Sequence, residues 1–303
     1  MDDSSLAQAL ERALPSGSAA ACRAGFGSET RIFGSSEPQP VFSVTKMFVA
    51  AGVLRAVDAG ALRLSDSLAS RSPGAPSGCS IAQVLTHTAG LGDYSTNPEY
   101  LTAVREHPSD PWSLDSIAAA SRQGEPGIFV YSNTGYWYLG AMLEEVSDMG
   151  LGQYLHREVF EPADMGSTRY PELETALTAS GYSTLWAGPA GAAFSTPEDL
   201  LCFESLVTDT DPPSPAAVSP AMRRAFSQSV PVDAPAPWRD PRYGAGVMID
   251  TKLRLWGHGG SGPGHRSAVF TSWDTGAAVA AIVPEESGFI PEEVLVPLLG
   301  HWE

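Results

Sequence analysis

Val41-Phe42-Ser43-Val44-Thr45-Lys46-Met47-Phe48 is the stretch around which the chain is organised. From Ser43 onward, apolar residues recur at Val44, Met47, Phe48, Val49, Val53, Leu54 and Val57, and the pattern stops at Gly60. That periodicity predicts a buried helix with a glycine just after its end. A spacing of i,i+3 puts Ser43 and Lys46 side by side on one face at the helix start. Free N–H groups and partial positive charge at a helix N-terminus would stabilise negative charge developing near Ser43.

Lysine usage sharpens the pattern. Of the 18 lysines and arginines only Lys46 and Lys252 are lysine. Arginine keeps its proton inside a protein, whereas a desolvated lysine can act as a base. Ser43 and Lys46 are therefore a candidate nucleophile and base, in the short Ser-x-x-Lys pattern. The same two residues also suit a helix N-cap serine and a lysine that snorkels along an apolar helix.

The 303 residues suffice for one large domain or two interleaved ones with a substantial core. Hydrophobic content of 43% and aromatic content of 9% indicate a globular chain rather than a disordered one. The net charge of -17, without a basic cluster, argues against nucleic acid and anionic membrane as partners. Cys22, Cys79 and Cys202 are widely spaced and show neither Cys-x-x-Cys nor a zinc pattern, so they read as free thiols. No metal or cofactor is expected. Met1-Asp2-Asp3-Ser4-Ser5-Leu6 lacks the basic and apolar regions of a secretory signal, and no apolar run approaches the ~18 residues of a membrane span. If Met1 is the native start, the expected location is cytoplasmic.

Along the chain, a first helix (about 5–14) leads into a hairpin formed by Ala19 to Phe26 and Thr30 to Phe33. Beyond the Ser43 helix and a Pro/Ser/Gly break at Ser72 to Gly78, helical patterns dominate: Ile81 to His87, Leu114 to Arg122, Gly135 to Val146, Gly152 to Phe160 and Pro197 to Val207. Pro212 to Pro241 is proline-rich and loop-like, with a short helix near Ala221 to Phe226. Strands follow at Tyr243 to Ile249, Leu253 to Trp256, Ser267 to Thr271 and Ala277 to Val283, before a last helix from Pro291 to Leu299. Strands at both ends with helices between predict an α+β fold whose termini meet in one antiparallel sheet. The expected division is a sheet lobe from residues 1–62 and 235–303 and a helical lobe from 63–234. A cleft would lie between them.

Two further constellations carry chemistry. Tyr131-Ser132-Asn133 follows the turn signal Glu125-Pro126-Gly127 and precedes a helix, so Tyr131 and Asn133 can point the same way into a cleft. A phenol beside an ammonium can have its pKa lowered and act as a base, and an amide can hold a carbonyl or a lysine. A buried tyrosine and a capping asparagine would look the same. Trp256-Gly257-His258-Gly259-Gly260-Ser261-Gly262-Pro263-Gly264 formally contains a dinucleotide fingerprint, but no helix follows and Pro263 blocks one. Glycines on an edge strand instead let a substrate acyl group lie close and hydrogen-bond. His258 on its own also suits a satisfied structural histidine.

In this order and on these elements, Ser43-x-x-Lys46, Tyr131-x-Asn133 and His258-Gly259-Gly260 resemble the serine β-lactamase-like superfamily. The branch resembled holds class C β-lactamases, D-alanyl-D-alanine carboxypeptidases, D-aminopeptidases and esterases of β-lactamase type. Leu85-Thr86-His87-Thr88-Ala89-Gly90-Leu91 is similar to the family's Leu-Thr-His-Thr-Ser-Gly-Leu stretch. Ser132 to Tyr136, Phe160-Glu161-Pro162 with Met165-Gly166, and Ala190-Gly191 with Ser195 to Leu200 also resemble family landmarks. The resemblance implies a β-lactamase/transpeptidase-like fold, with Ser43 as acylated nucleophile and Lys46 and Tyr131 sharing the proton network. It further implies that Asn133 orients Lys46 or the substrate, and that the N–H groups of Ser43 and Ser261 form an oxyanion hole beside Gly260. His258 takes the place of the third motif's lysine or histidine, and His87 is structural.

Three departures qualify this. His258-Gly259-Gly260 is not Lys-Thr-Gly, His265 stands where relatives often have phenylalanine, and the chain is short for the branch. The expected function is a serine hydrolase with a covalent acyl-enzyme, acting on a small-molecule ester or amide. The alternative is a biosynthetic acyltransferase passing the acyl group to an amine or alcohol acceptor; a non-catalytic ligand-binding relative is the rival from another class.

Overall fold

The structure, a computed structural model, describes residues 3–72, 74–121, 123–207, 219 and 228–300. The expected helix near Ala221 to Phe226 lies outside the described residues. Among the described residues, eight strands form one antiparallel sheet in the order β2-β1-β10-β9-β8-β7-β6-β5. These are β1 (Ala19–Arg23), β2 (Arg31–Phe33), β5 (Val230–Pro231), β6 (Pro241–Tyr243), β7 (Met248–Asp250), β8 (Leu255–Gly262), β9 (His265–Ser272) and β10 (Ala278–Pro284). A separate pair joins β3 (Gln39–Pro40) to β4 (Phe194–Ser195). β1 pairs with β10, Ala20 opposite Ala281, so the two ends of the chain do meet in one sheet.

Strand β10 shows why the sheet is buried on both faces. Successive side chains of a strand point to opposite sides. Val279, Ala281 and Val283 pack with Leu6 and Leu10 of helix α1 (Asp3–Ala13) and with Leu295, Val296 and Leu299 of the C-terminal helix Pro291–Gly300. Ala278, Ala280 and Ile282 face the other way, into the larger core built on helix α2 (Thr45–Asp58) and the helix Asn133–Ser147. Phe48 of α2 anchors this core against Phe160 in a T-shaped contact at 5.2 Å and against Phe203 at 5.6 Å. Truncating a fully buried phenylalanine of this kind costs about 3–5 kcal/mol.

Several elements differ from the sequence expectation, among them β5, a short strand paired with β6 inside the Pro212 to Pro241 stretch expected to be loop-like. Tyr243 to Ile249 is not one strand: β6 ends at Tyr243 and β7 starts at Met248, with Gly244 N–H donating to Val247 C=O (2.8 Å) across the turn. Gly246 sits there at φ +73°, a conformation that side-chain-bearing residues rarely adopt. A Cβ on it would also come within 2.7 Å of Lys46 C=O. Leu253 to Trp256 expands into β8, which runs straight through the glycine motif to Gly262. A helix over Pro98–Glu106, capped by Asn97 with proline in its first turn, was not expected. Among the described residues no helix is long and apolar enough to cross a membrane.

Strand β8 positions the site. β7 pairs with it only as far as Gly257, whereas β9 accompanies it to Gly262. From His258 onward the strand therefore has an edge that β7 leaves uncovered, and the turn carrying Ser43 packs there.

Candidate active site

Ser43 lies on a single helical turn, Phe42–Val44, immediately before α2. The capping position of α2 is Val44, without a side-chain cap, so the serine hydroxyl is not spent on the helix end. Two contacts hold the turn: Val41 N–H donates to Ala193 C=O (3.0 Å), and Ser267 Oγ donates to Val41 C=O (2.7 Å). Phe42 adopts φ +45°, an outlier conformation for a bulky residue. Gly260 permits the close approach of β8, because a Cβ there would stand 2.2 Å from Val41 C=O and 3.0 Å from Ser43 N.

Lys46 is fully buried. Its Nζ donates to Asn133 Oδ1 (2.7 Å), Ala190 C=O (2.8 Å) and Ser43 Oγ (3.3 Å). An ammonium has three protons, and each finds an acceptor. Burial lowers the lysine pKa from 10.5 to about 7, with the Asp93 carboxylate pulling in the opposite direction. Desolvation disfavours the charged amine, which is the condition for a lysine to accept a proton near neutrality.

Asn133 is the first residue of its helix, and the capping is done by its neighbour: Ser132 Oγ accepts from Gly135 N–H (3.3 Å). The asparagine amide is thereby released into the site. Its Nδ2 donates to both Asp93 oxygens (3.2 and 3.0 Å) and to Ser95 Oγ (3.3 Å). A carboxylate accepts only, so Nδ2 must face Asp93 and Oδ1 must face Lys46.

Tyr131 stands within hydrogen-bonding reach of Ser43, and Lys46 Nζ lies 4.8 Å from its ring centre. The expectation that the ammonium lowers the phenol pKa is not met. Burial pushes Tyr131 above its ordinary value, and the Asp93 charge adds to this, only partly offset by the hydrogen bond to Ser43. The lowered proton affinity sits on Lys46; the phenol is held protonated.

The two histidines flank this centre from inside. His87 Nδ1 accepts Ser132 N–H (3.1 Å), and its ring packs on Tyr131 at 4.4 Å. His258 is buried, with Nε2 2.9 Å from the Tyr243 hydroxyl and Nδ1 against its neighbour's C=O. The Nδ1 contact calls for a proton there, so Nε2 accepts from Tyr243. Burial lowers the His258 pKa to about 3 and that of His87 well below its usual value, so both rings are neutral. The imidazole of His258 is not on the wall of the cavity beside Ser43, whereas Ser261 and Gly262 of the same strand are.

Ser43, Lys46, Tyr131 and Asn133 are thus brought together, with Gly260 and Ser261 alongside and His258 set behind. Sequence reasoning missed Asp93, Ser95 and Tyr243. No spacing rule separates Asp93 from the other acidic residues; its importance arises only when the turn at Gly92-Asp93 is folded against Asn133.

A protein-family model described as beta-lactamase matches residues 25–288. Penicillin-binding protein 4* of Bacillus subtilis (strain 168) is 31% identical over 134 residues, which is 42% of this chain and 29% of that protein. The putative penicillin-binding protein PbpX of the same strain is 28% identical over 127 residues, 41% of this chain and 31% of its own length. The chain therefore matches less than a third of the length of either relative. Among solved structures, a D-stereospecific amidohydrolase from Streptomyces sp. has a TM-score of 0.77 at 24% identity, covering 93% of this chain and 94% of that one. The D-amino acid amidase of Ochrobactrum anthropi SV3 gives 0.74 at 21%, covering 97% and 95%. The penicillin-binding protein of Bacillus halodurans gives 0.76 at 19%, covering 92% and 94%. At these identities the likeness carries the fold, which is that of the β-lactamase and transpeptidase enzymes.

Proposed function

The chain belongs to the beta-lactamase family, and on that premise we propose that it is a serine hydrolase that forms a covalent acyl-enzyme at Ser43 and cleaves small esters or amides. The observation that carries this is the buried Lys46 amine, with a pKa of about 7, hydrogen-bonded to Ser43 Oγ while Tyr131 stands within reach of the same hydroxyl.

Ser43 Oγ attacks the substrate carbonyl carbon as its proton passes to the neutral Lys46 amine. The ammonium formed is already provided with acceptors in Asn133 Oδ1 and Ala190 C=O. The N–H groups of Ser43 and Ser261 receive the tetrahedral oxyanion. As the carbon–heteroatom bond breaks, Tyr131 gives its proton to the departing alcohol or amine and is reprotonated from Lys46. Water then attacks the Ser43 ester by the same steps in reverse roles, releasing the acid.

The amidohydrolase and the amidase among the similar structures favour an amide or ester of a small acid over a β-lactam. So does the third motif: the neutral, buried His258 offers no cation for a lactam carboxylate. Incubation with p-nitrophenyl esters of short acids and with a cephalosporin tests this, read by release rate and by intact mass. Esters are expected to turn over and the cephalosporin to be slow; comparable turnover of both would contradict the assignment. With added amines or alcohols, a hydrolase keeps an unchanged ratio of acid to transfer product, whereas rising transfer would make it an acyltransferase.

A further inference from the structure

A cavity of about 420 Å³ adjoins Ser43, within the size range of small-molecule sites. Its wall includes Phe42, Tyr94, Tyr100 and Tyr182, which belong to one aromatic cluster with Trp186. The hydroxyls of Tyr94 and Tyr100 both donate to Trp186 C=O, at 3.3 and 3.1 Å. These two tyrosines therefore present ring surface to the cavity rather than their polar tips.

One formally charged residue among the described ones stands on that wall, and it is Arg105, in the last turn of the helix Pro98–Glu106. Its guanidinium donates to Thr102 Oγ1 (3.2 Å), and among the described residues no carboxylate lies within ion-pair distance of it. In a chain with 35 acidic residues against 18 basic ones, a cation beside an aromatic cavity and without an acidic partner is well placed to receive an anion from outside.

Which half of the substrate occupies this cavity follows from Tyr131. Tyr131, the proposed proton donor to the leaving group, is not among the residues lining this cavity, and the cavity of about 180 Å³ that it does border, with Phe129, Trp238 and Tyr243, does not include Ser43. The leaving group belongs on the Tyr131 side and the acyl group on the aromatic side. We propose that the acyl half of the substrate is an aromatic or apolar acid carrying a distal carboxylate that Arg105 binds. This rests on the acyl-enzyme assignment of Ser43. The planar fork of an arginine matches a carboxylate with two parallel hydrogen bonds, which an ammonium cannot do. Because Arg105 is exposed, the preference it confers is about two- to fivefold rather than larger.

The test pairs binding with turnover. Calorimetry compares para-carboxyphenylpropanamide with its neutral isostere para-carbamoylphenylpropanamide on the wild type, Arg105→Gln and Arg105→Glu. The p-nitrophenyl esters of the same two acids are assayed in parallel. The charged amide is expected to bind about two- to fivefold more tightly to the wild type, less so at high salt. The preference should vanish in Arg105→Gln and invert in Arg105→Glu, and the ratio of ester kcat/KM values should follow. Equal binding of the two amides, binding of neither, or a preference that survives Arg105→Glu would overturn the proposal. If the preference holds but neither ester acylates Ser43, the acyl-enzyme assignment fails instead.

Discussion

Lys46→Arg is expected to be nearly as damaging to acylation as Lys46→Ala, although it keeps the positive charge. The amine is fully buried, touches Ser43 Oγ, and is lowered to about pKa 7 by its burial. At pH 7 about half of the molecules then hold a neutral amine, and at pH 6 about a tenth. The active form is the deprotonated one, so activity is present above pH 7 and is lost as pH falls through it. Arginine at this position stays protonated, its pKa exceeding ~12. Loss of a general base removes ~10²–10⁴-fold in rate, which at 1.36 kcal/mol per decade is about 2.7–5.4 kcal/mol of barrier. Single-turnover acylation by an activated ester, followed across pH with variants shown to be folded by circular dichroism, measures this. Wild-type acylation should rise close to tenfold per pH unit below pH 7 and then level off. The apparent value belongs to the Lys46–Tyr131 pair rather than to either group. An arginine variant within about threefold of wild type, a gap of ~0.7 kcal/mol, would refute the role of Lys46 as base.

Asp93 does two things that different substitutions separate. Asp93→Asn keeps an acceptor for Asn133 Nδ2 but removes the charge that raises the Lys46 pKa, so the acidic limb of the pH–rate profile should move to lower pH; an unmoved limb would contradict this. Asp93→Ala frees the Asn133 amide as well, so the limb should move in the same way and the plateau above it should fall about tenfold, the scale of a ~1.5 kcal/mol charge-assisted hydrogen bond. His258 gives a stability signature. Its pKa is about 3 in the folded protein against an ordinary 6.5, so below pH 6.5 the unfolded chain binds the proton and the folded one does not. The stability advantage of wild type over His258→Asn should therefore shrink by about 1.4 kcal/mol for each pH unit below 6.5. Urea unfolding at several pH values reads this directly, and a constant gap would show that His258 is protonated in the folded state.

Much of this site was legible in the sequence because it rests on local spacing. Ser43 and Lys46 are neighbours through helix geometry, and Tyr131 and Asn133 through a turn, so one stretch of chain suffices to place each pair. The meeting of β1 with β10 followed from strands at both ends of the chain. What escaped depends on contacts distant in sequence. The direction of the Tyr131 shift depends on how deeply the ring is buried, and Asp93 matters only because its turn folds onto Asn133, 40 positions away. The expected strand stops at Trp256, yet β8 continues through the glycine motif, because β9 supplies partners as far as Gly262. The helix over Pro98–Glu106 escaped because its apolar face is thin, with Tyr100 its one buried residue.

The central claim, that Ser43 is the nucleophile of a covalent acyl-enzyme, is tested most directly by intact-mass analysis after exposure to a serine-reactive phosphonate. Wild-type protein should gain one adduct, mapped by peptide digestion to the segment containing Ser43, and Ser43→Ala should gain none. An adduct that persists in Ser43→Ala, or that maps to another serine, would contradict the claim.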